Sequence, residues 1–280
     1  MSDTRQPEVR YHMLRPEQIV ARRKEFPAAY IPLGTLEWHG AQNAVGADAL
    51  QAEGIAIRCA RKGGGLIFPP LYYGESRSES IIEVSGQDRH LIAEKMELPP
   101  ENFGPDRQPF SGTEQIINYH KLLLHILCEV ESLGFLVGVF VVGHYPLIDH
   151  ARAVASQFNQ RRLMKFEGML AWAFVDYLLV EDAYPGAGDH AGGWETSHMM
   201  ALYPETVNLD LIPPRGEPDI GTIWRIDPRD STAEFGQKIL DKAVDVAVKE
   251  VTHRIENFDL YLGHGKGLQE GLWRRESRTE

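Results

Sequence analysis

Residues 134–142, reading GFLVGVFVV, limit the folds open to this chain more than any other stretch. The run is apolar without alternation, whereas a strand with one wet face alternates apolar and polar residues. Short and closed by Gly143-His144-Tyr145-Pro146, it reads as a strand covered on both faces, the mark of a parallel sheet between helices. Residues 28–33 and 66–68 give two more buried strands, and residues 170–180, with Trp172, Phe174 and Tyr177, read as a fourth. Helical patterns fall around them: a short one near 16–24 begun by Pro16, then 48–61, 149–166 and 233–257. A long amphipathic helix starts at Ser111, with an apolar stripe of Ile116, Ile117, Leu123, Leu124, Leu127 and Val130. Strand–helix alternation with short loops predicts an α/β fold with a mostly parallel sheet. Residues 81–110, rich in proline, read as an insertion within a single 280-residue domain.

The polar residues that could do chemistry collect where these strands end. After 28–33 come Glu37 and His39, two apart, so that extended backbone would send both side chains to one face. Asp48 follows a glycine-punctuated turn that can bring it back to them. Carboxylate, imidazole and carboxylate suit Zn, Mn or Fe. His144 follows the central strand directly, and open α/β sheets bind ligands at this rim. A third group, Asp189, His190 and Glu195, lies in a glycine-rich loop and the first turn of the next helix, where the dipole favours a carboxylate.

Charge and composition remove several function classes. The formal net charge is −11, from 29 basic and 40 acidic residues, and nucleic acids or anionic membranes call for a basic footprint. The longest apolar run is too short to span a bilayer, and the first residues carry no signal-like apolar segment. Cys59 and Cys128 sit in apolar helical contexts, so free thiols and a reducing, cytoplasmic setting are expected. A nucleotide-binding oxidoreductase would need a glycine-rich turn after the first strand, and none is present.

The motifs LGTLEWHG followed by Asp48, the strand ending GHY, and DHAGGWETS resemble the creatininase (creatinine amidohydrolase) family, from about Tyr30 to Tyr203. Ser111-Gly112-Thr113 is similar to that family's Pro-Gly-Thr. The resemblance implies a three-layer α/β/α sandwich, homo-oligomers that are often hexamers, and two divalent ions per subunit, Zn or Mn with Fe as a further option. It implies that Glu37, His39, Asp48 and His144 are metal ligands, with Asp48 bridging, and that His190 transfers protons. Where the creatinine-hydrolysing enzymes carry a liganding glutamate after the Tyr of the GHY motif, this chain has Pro146, and Glu195 is then the ligand implied. Where they carry Trp-Asp before the catalytic histidine, this chain has Gly186-Ala187. Those departures argue for a small-molecule substrate other than creatinine.

The expected activity is hydrolysis of an amide, cyclic amide or formamide C–N bond by a metal-activated water. His190, its tautomer set by Asp189 or Glu195, would serve the leaving group. Tyr145, Ser76 and Arg77 are candidates to orient substrate or simply to bond within their loops. Trp38 and Trp194 either wall the pocket or pack in the core. Two other readings stand beside this one: cleavage of a cyclic-diketone C–C bond in inositol or sugar breakdown, and a non-catalytic scaffold that keeps the fold.

Overall fold

The computed structural model describes residues 7–74, 82, 85–107, 109–161 and 168–261. Its four described strands are β1 (Ala28–Leu33), β2 (Leu66–Ile67), β3 (Val137–Val142) and β4 (Leu170–Val175). All pair in parallel, in the order β2-β1-β3-β4. Among the described residues eight α-helices accompany them: α1 (Pro16–Glu25), α2 (Ala47–Gly63), α3 (Arg89–Lys95), α4 (Gly112–Ser132), α5 (Leu147–Gln160), α6 (Asp176–Val180), α7 (Gly193–Leu202) and α8 (Ala233–Glu256).

The three layers follow from the two-residue period of the strands. Ala29, Ile31 and Leu33 of β1, Phe140 and Val142 of β3, and Ala171, Ala173 and Val175 of β4 share one apolar cluster. That cluster includes Leu123 and Leu127 of α4 and Val154 and Phe158 of α5. The alternate residues, Ala28, Tyr30, Val137, Val139, Val141 and Phe174, meet Ile55 and Cys59 of α2 and Leu240, Val244 and Val251 of α8 on the other face. Both faces of β1 and β3 are buried, which is why β3 shows no alternation.

Two expectations are corrected. The fourth strand stops at Val175 and the chain turns into α6, because Val175 pairs with Val142, the last residue of β3. Ile117 lies outside the buried stripe of α4, 47% exposed. The start of α4 is as read: the Ser111 hydroxyl accepts from Glu114 N–H while the Glu114 carboxylate accepts from Ser111 N–H, a capping box. Within the expected insertion, α3 and a short 3-10 helix (Pro100–Phe103) bury Ile82, Ile92, Ala93 and Phe103 against Trp38, making a small satellite core over the loop that follows β1.

Candidate metal centre

The C-terminal ends of β1 and β3 and the N-terminal ends of α2 and α7 meet at one point. Gly34 follows β1 and Gly143 follows β3, and both lie against the first turn of α2. A Cβ on Gly34 would stand 2.3 Å from the Ala49 nitrogen, and one on Gly143 would stand 1.9 Å from the Asp48 carbonyl oxygen. Only glycine permits that approach, and it brings the Asp48 side chain to the strand ends.

Six of the sequence candidates converge there, all buried. Glu37, Asp48 and His144 form one set of potential ligand atoms, and His39, Asp48 and Glu195 a second, the atoms of each set lying within 4.8 Å of one another. Asp48 belongs to both. His144 Nδ1 is 3.1 Å from Glu37 Oε2 and 3.1 Å from Asp48 Oδ2. His39 Nε2 is 3.0 Å from Asp48 Oδ1 and 3.6 Å from Glu195 Oε2. A third set, Glu37, His39 and His190, meets the same distance limit.

Two of the candidate ligands, His39 and Glu195, are held from behind. His39 Nδ1 donates to the Glu37 carbonyl at 3.0 Å, leaving Nε2 for the centre. Glu195 Oε2 accepts from Ala191 N–H at 2.7 Å, and the Ala191 carbonyl accepts from Gln42 Nε2 at 2.8 Å. Asn43 Nδ2 donates to Thr196 Oγ1 at 2.9 Å, joining the loop after β1 to α7 a second time. Ala191 takes a left-handed conformation (φ 56), strained for a residue with a Cβ, and this conformation accompanies its N–H bond to Glu195. Gln42 and Asn43 stand in no motif that marks them; only contact with a segment some 150 residues away gives them their place.

The electrostatics fit a dication. Burial pushes Glu37 upward, but the hydrogen bond and charge of His144 outweigh it and lower its pKa. Burial pushes Asp48 the same way, and His39 and His144 overcome it, leaving its carboxyl strongly acidic. Burial presses His39 down, yet Asp48 and Glu195 raise it to about 10. Burial, with the Asp48 and Asp189 charges, holds Glu195 well above the ordinary carboxylate value. Three carboxylates in so small a volume therefore rely on the protonated His39 imidazole and, at Glu195, on a raised affinity for a proton of their own. Divalent ions would take over that role and release those protons. Hard carboxylate oxygens with imidazole nitrogens are a donor set for Zn or Mn.

His190 keeps a different part of its ring for the centre. Its Nε2 lies 2.8 Å from the Trp38 carbonyl, which can only accept, so the proton is on Nε2 and the neutral ring carries its lone pair on Nδ1. Nδ1 is 4.0 Å from Glu37 Oε2. Burial, aided by the His39 charge, lowers the pKa of His190 to about 4. Thus the Trp38 carbonyl sets the tautomer that Asp189 or Glu195 was expected to set. Asp189 instead accepts from the N–H groups of Trp194 (2.8 Å) and Glu195 (3.1 Å), tying down the start of α7. Burial pushes its carboxyl up to about 6 against those bonds.

The remaining candidates separate. Tyr145, next to His144 in sequence, is 60% exposed, its ring 5.5 Å from that of Tyr177. Trp194 does not face the ligand group: it packs in a core with Val180, Ile239 and Ala243, its indole N–H directed to Asp176. Trp38 likewise places its ring in the satellite core and offers the centre only its carbonyl. Ser76 and Arg77 lie outside the described residues.

Comparison with known proteins agrees with this architecture. A creatinine amidohydrolase of Pseudomonas putida is 26% identical over 213 residues, 71% of this chain and 74% of the relative. A tryptophan-to-phenylalanine mutant of creatininase superposes with a TM-score of 0.63 at 20% identity, covering 89% of this chain and 99% of the other. A manganese creatininase gives a TM-score of 0.61 at 20% identity, covering 89% and 99%. A glutamate-to-glutamine creatininase mutant of Zn-Zn type gives 0.61 at 21%, covering 89% and 98%. At such identities the structural likeness speaks for the fold. The family model for creatininase, described as creatinine amidohydrolase, matches residues 12–251, and the chain belongs to that family.

Proposed function

We propose that this member of a metal-dependent amidohydrolase family hydrolyses an amide C–N bond of a small molecule at a centre holding two divalent ions. The observation that carries the reading is the sharing of Asp48 between the set with Glu37 and His144 and the set with His39 and Glu195. Glu195 supplies the oxygen that Pro146 cannot. Bound there, the ions would supply Lewis-acid polarisation and a lowered pKa for coordinated water. The protein's own part is to hold and move protons. His190 Nδ1, lone pair free and ring neutral near pH 7, can take a proton inside the site and pass it to a leaving nitrogen. The bond to the Trp38 carbonyl keeps that ring in place and stabilises it while it is charged. The satellite core anchors the Trp38 residue whose carbonyl holds His190. Tyr145, exposed beside His144, is our candidate to meet substrate.

The curated relative is named for creatinine, so creatinine belongs in the first substrate panel, with lactams, formamides and cyclic diketones beside it. Gly186 and Ala187, which lack the side chains expected there, support a substrate other than creatinine. Metal content of protein purified without chelator tests the centre, and about two Zn, Mn or Fe per chain are expected. His39→Ala should lose one ion and hydrolysis together. Full activity in that variant, or no uptake of Zn or Mn by the parent protein, would overturn the reading and favour a non-catalytic role. Turnover confined to the diketones would retain the centre and move the reaction to a C–C bond.

A further inference from the structure

The segment alongside His190 carries a cation without a partner among the described residues. Ile223 and His190 pair antiparallel, His190 N–H donating to the Ile223 carbonyl at 2.7 Å and Ile223 N–H returning at 2.9 Å. Two residues on, Arg225 is exposed. Its guanidinium lies on the backbone of Gly186, where a Cβ would stand 1.8 Å from Nη1. Gly186 has φ +75, so glycine there serves both the turn and the seat for the arginine. In the same turn, Gly188 rests on the ring of Tyr177, the ring that meets Tyr145 beside His144. Arg225 therefore sits on the loop that leads into His190 and that also contacts Tyr177.

Among the described residues no ion pair or hydrogen bond engages this guanidinium. The arginines nearby in sequence differ: Arg215 pairs with Asp227 and Asp230, and Arg229 with Asp227. Glu181, the carboxylate on the Gly186 turn, accepts from Gly186 N–H at 2.9 Å. In a chain of net charge −11, a guanidinium seated by packing and left without a carboxylate is a ready receptor for one.

Building on the hydrolase reading, we propose that Arg225 receives a carboxylate of the substrate, so that the substrate class is a small amide bearing an acid group away from the bond that breaks. The planar guanidinium takes a carboxylate through two parallel N–H bonds and so fixes its orientation relative to His190. Exposed Ile223, paired with His190, gives the intervening part of the substrate an apolar surface.

The test uses the full chain loaded with Zn or Mn and matched acid and neutral probes: 5-oxoproline against 2-pyrrolidone, and N-formylglycine against N-formylglycinamide. Binding is read by calorimetry and turnover by kcat/KM. The parent protein should favour the acid member of each pair. Arg225→Gln should lower the acid-to-neutral ratio about tenfold or more, and Arg225→Lys should restore part of it. A parent ratio near one, no binding of either acid probe, or a ratio unchanged in Arg225→Gln overturns the role of Arg225. Metal content and turnover of the neutral members, read in the same samples, judge the hydrolase reading separately.

Discussion

The backbone carbonyl of Asp48 fills the space that a side chain on Gly143 would need, 1.9 Å from where its Cβ would be. The end of β3 and the start of α2 are thus in direct backbone contact, and a residue with no evident chemistry governs where the candidate shared ligand Asp48 sits. Gly143→Ala should push Asp48 away from His39 and His144. The expected outcome is a folded protein with lost or single-ion occupancy and activity down by at least about a hundredfold. Elemental analysis with circular dichroism checks it; two ions and normal turnover would show that the contact relaxes without cost.

Gln42 reaches the centre through Ala191, whose carbonyl accepts from Gln42 and whose N–H donates to the Glu195 carboxylate. Gln42→Ala leaves a buried carbonyl without its donor, a loss of about 1–3 kcal/mol. Thermal unfolding should show a lower midpoint, and the ion held with Glu195 should dissociate more readily on titration with chelator. A lower midpoint with unchanged metal affinity would confine Gln42 to a structural part.

His198 links stability to pH. It is buried, its Nδ1 3.0 Å from Gln51 Oε1 and 3.7 Å from Asp176 Oδ2, with Trp194 against its ring. Burial lowers its pKa below the ordinary 6.5 in spite of Asp176. The unfolded chain then binds the proton first, so this histidine's contribution is complete above about pH 6.5 and declines as pH falls below that value. Melting curves from pH 8 to 5 should show a smaller loss of stability in His198→Gln than in the parent. Parallel curves for the two proteins would exclude the linkage.

The two thiols should react unequally. Cys59 is buried between α2 and the sheet, and burial raises its pKa to about 12. Cys128 is partly exposed, its sulfur accepting from Arg161 Nη1 at 2.8 Å. A thiol reagent at neutral pH should label Cys128 alone in the native protein and both cysteines after denaturation. Rapid labelling of Cys59 would mean that α2 opens readily.

By itself the sequence determined the layers and the polar rim. An apolar run without alternation at 137–142 has one stable setting, a strand covered on both faces, and the histidine after it must emerge at the sheet's C-terminal edge. The ligand candidates Glu37, His39, Asp48, His144 and Glu195 were legible because each lies in a loop after a strand or in the first turn of a helix, and because the motifs around them resemble a known family. Tertiary structure alone decided the rest. Trp194, adjacent in sequence to Glu195, points into the core, because on a helix successive side chains leave on different faces. The Trp38 carbonyl, not Asp189, sets the tautomer of His190, and Gln42 supports Glu195 through a backbone group. Such contacts join segments some 150 residues apart, and backbone donors and acceptors are the same at every position but proline, so no residue pattern announces which of them a folded chain will bring together.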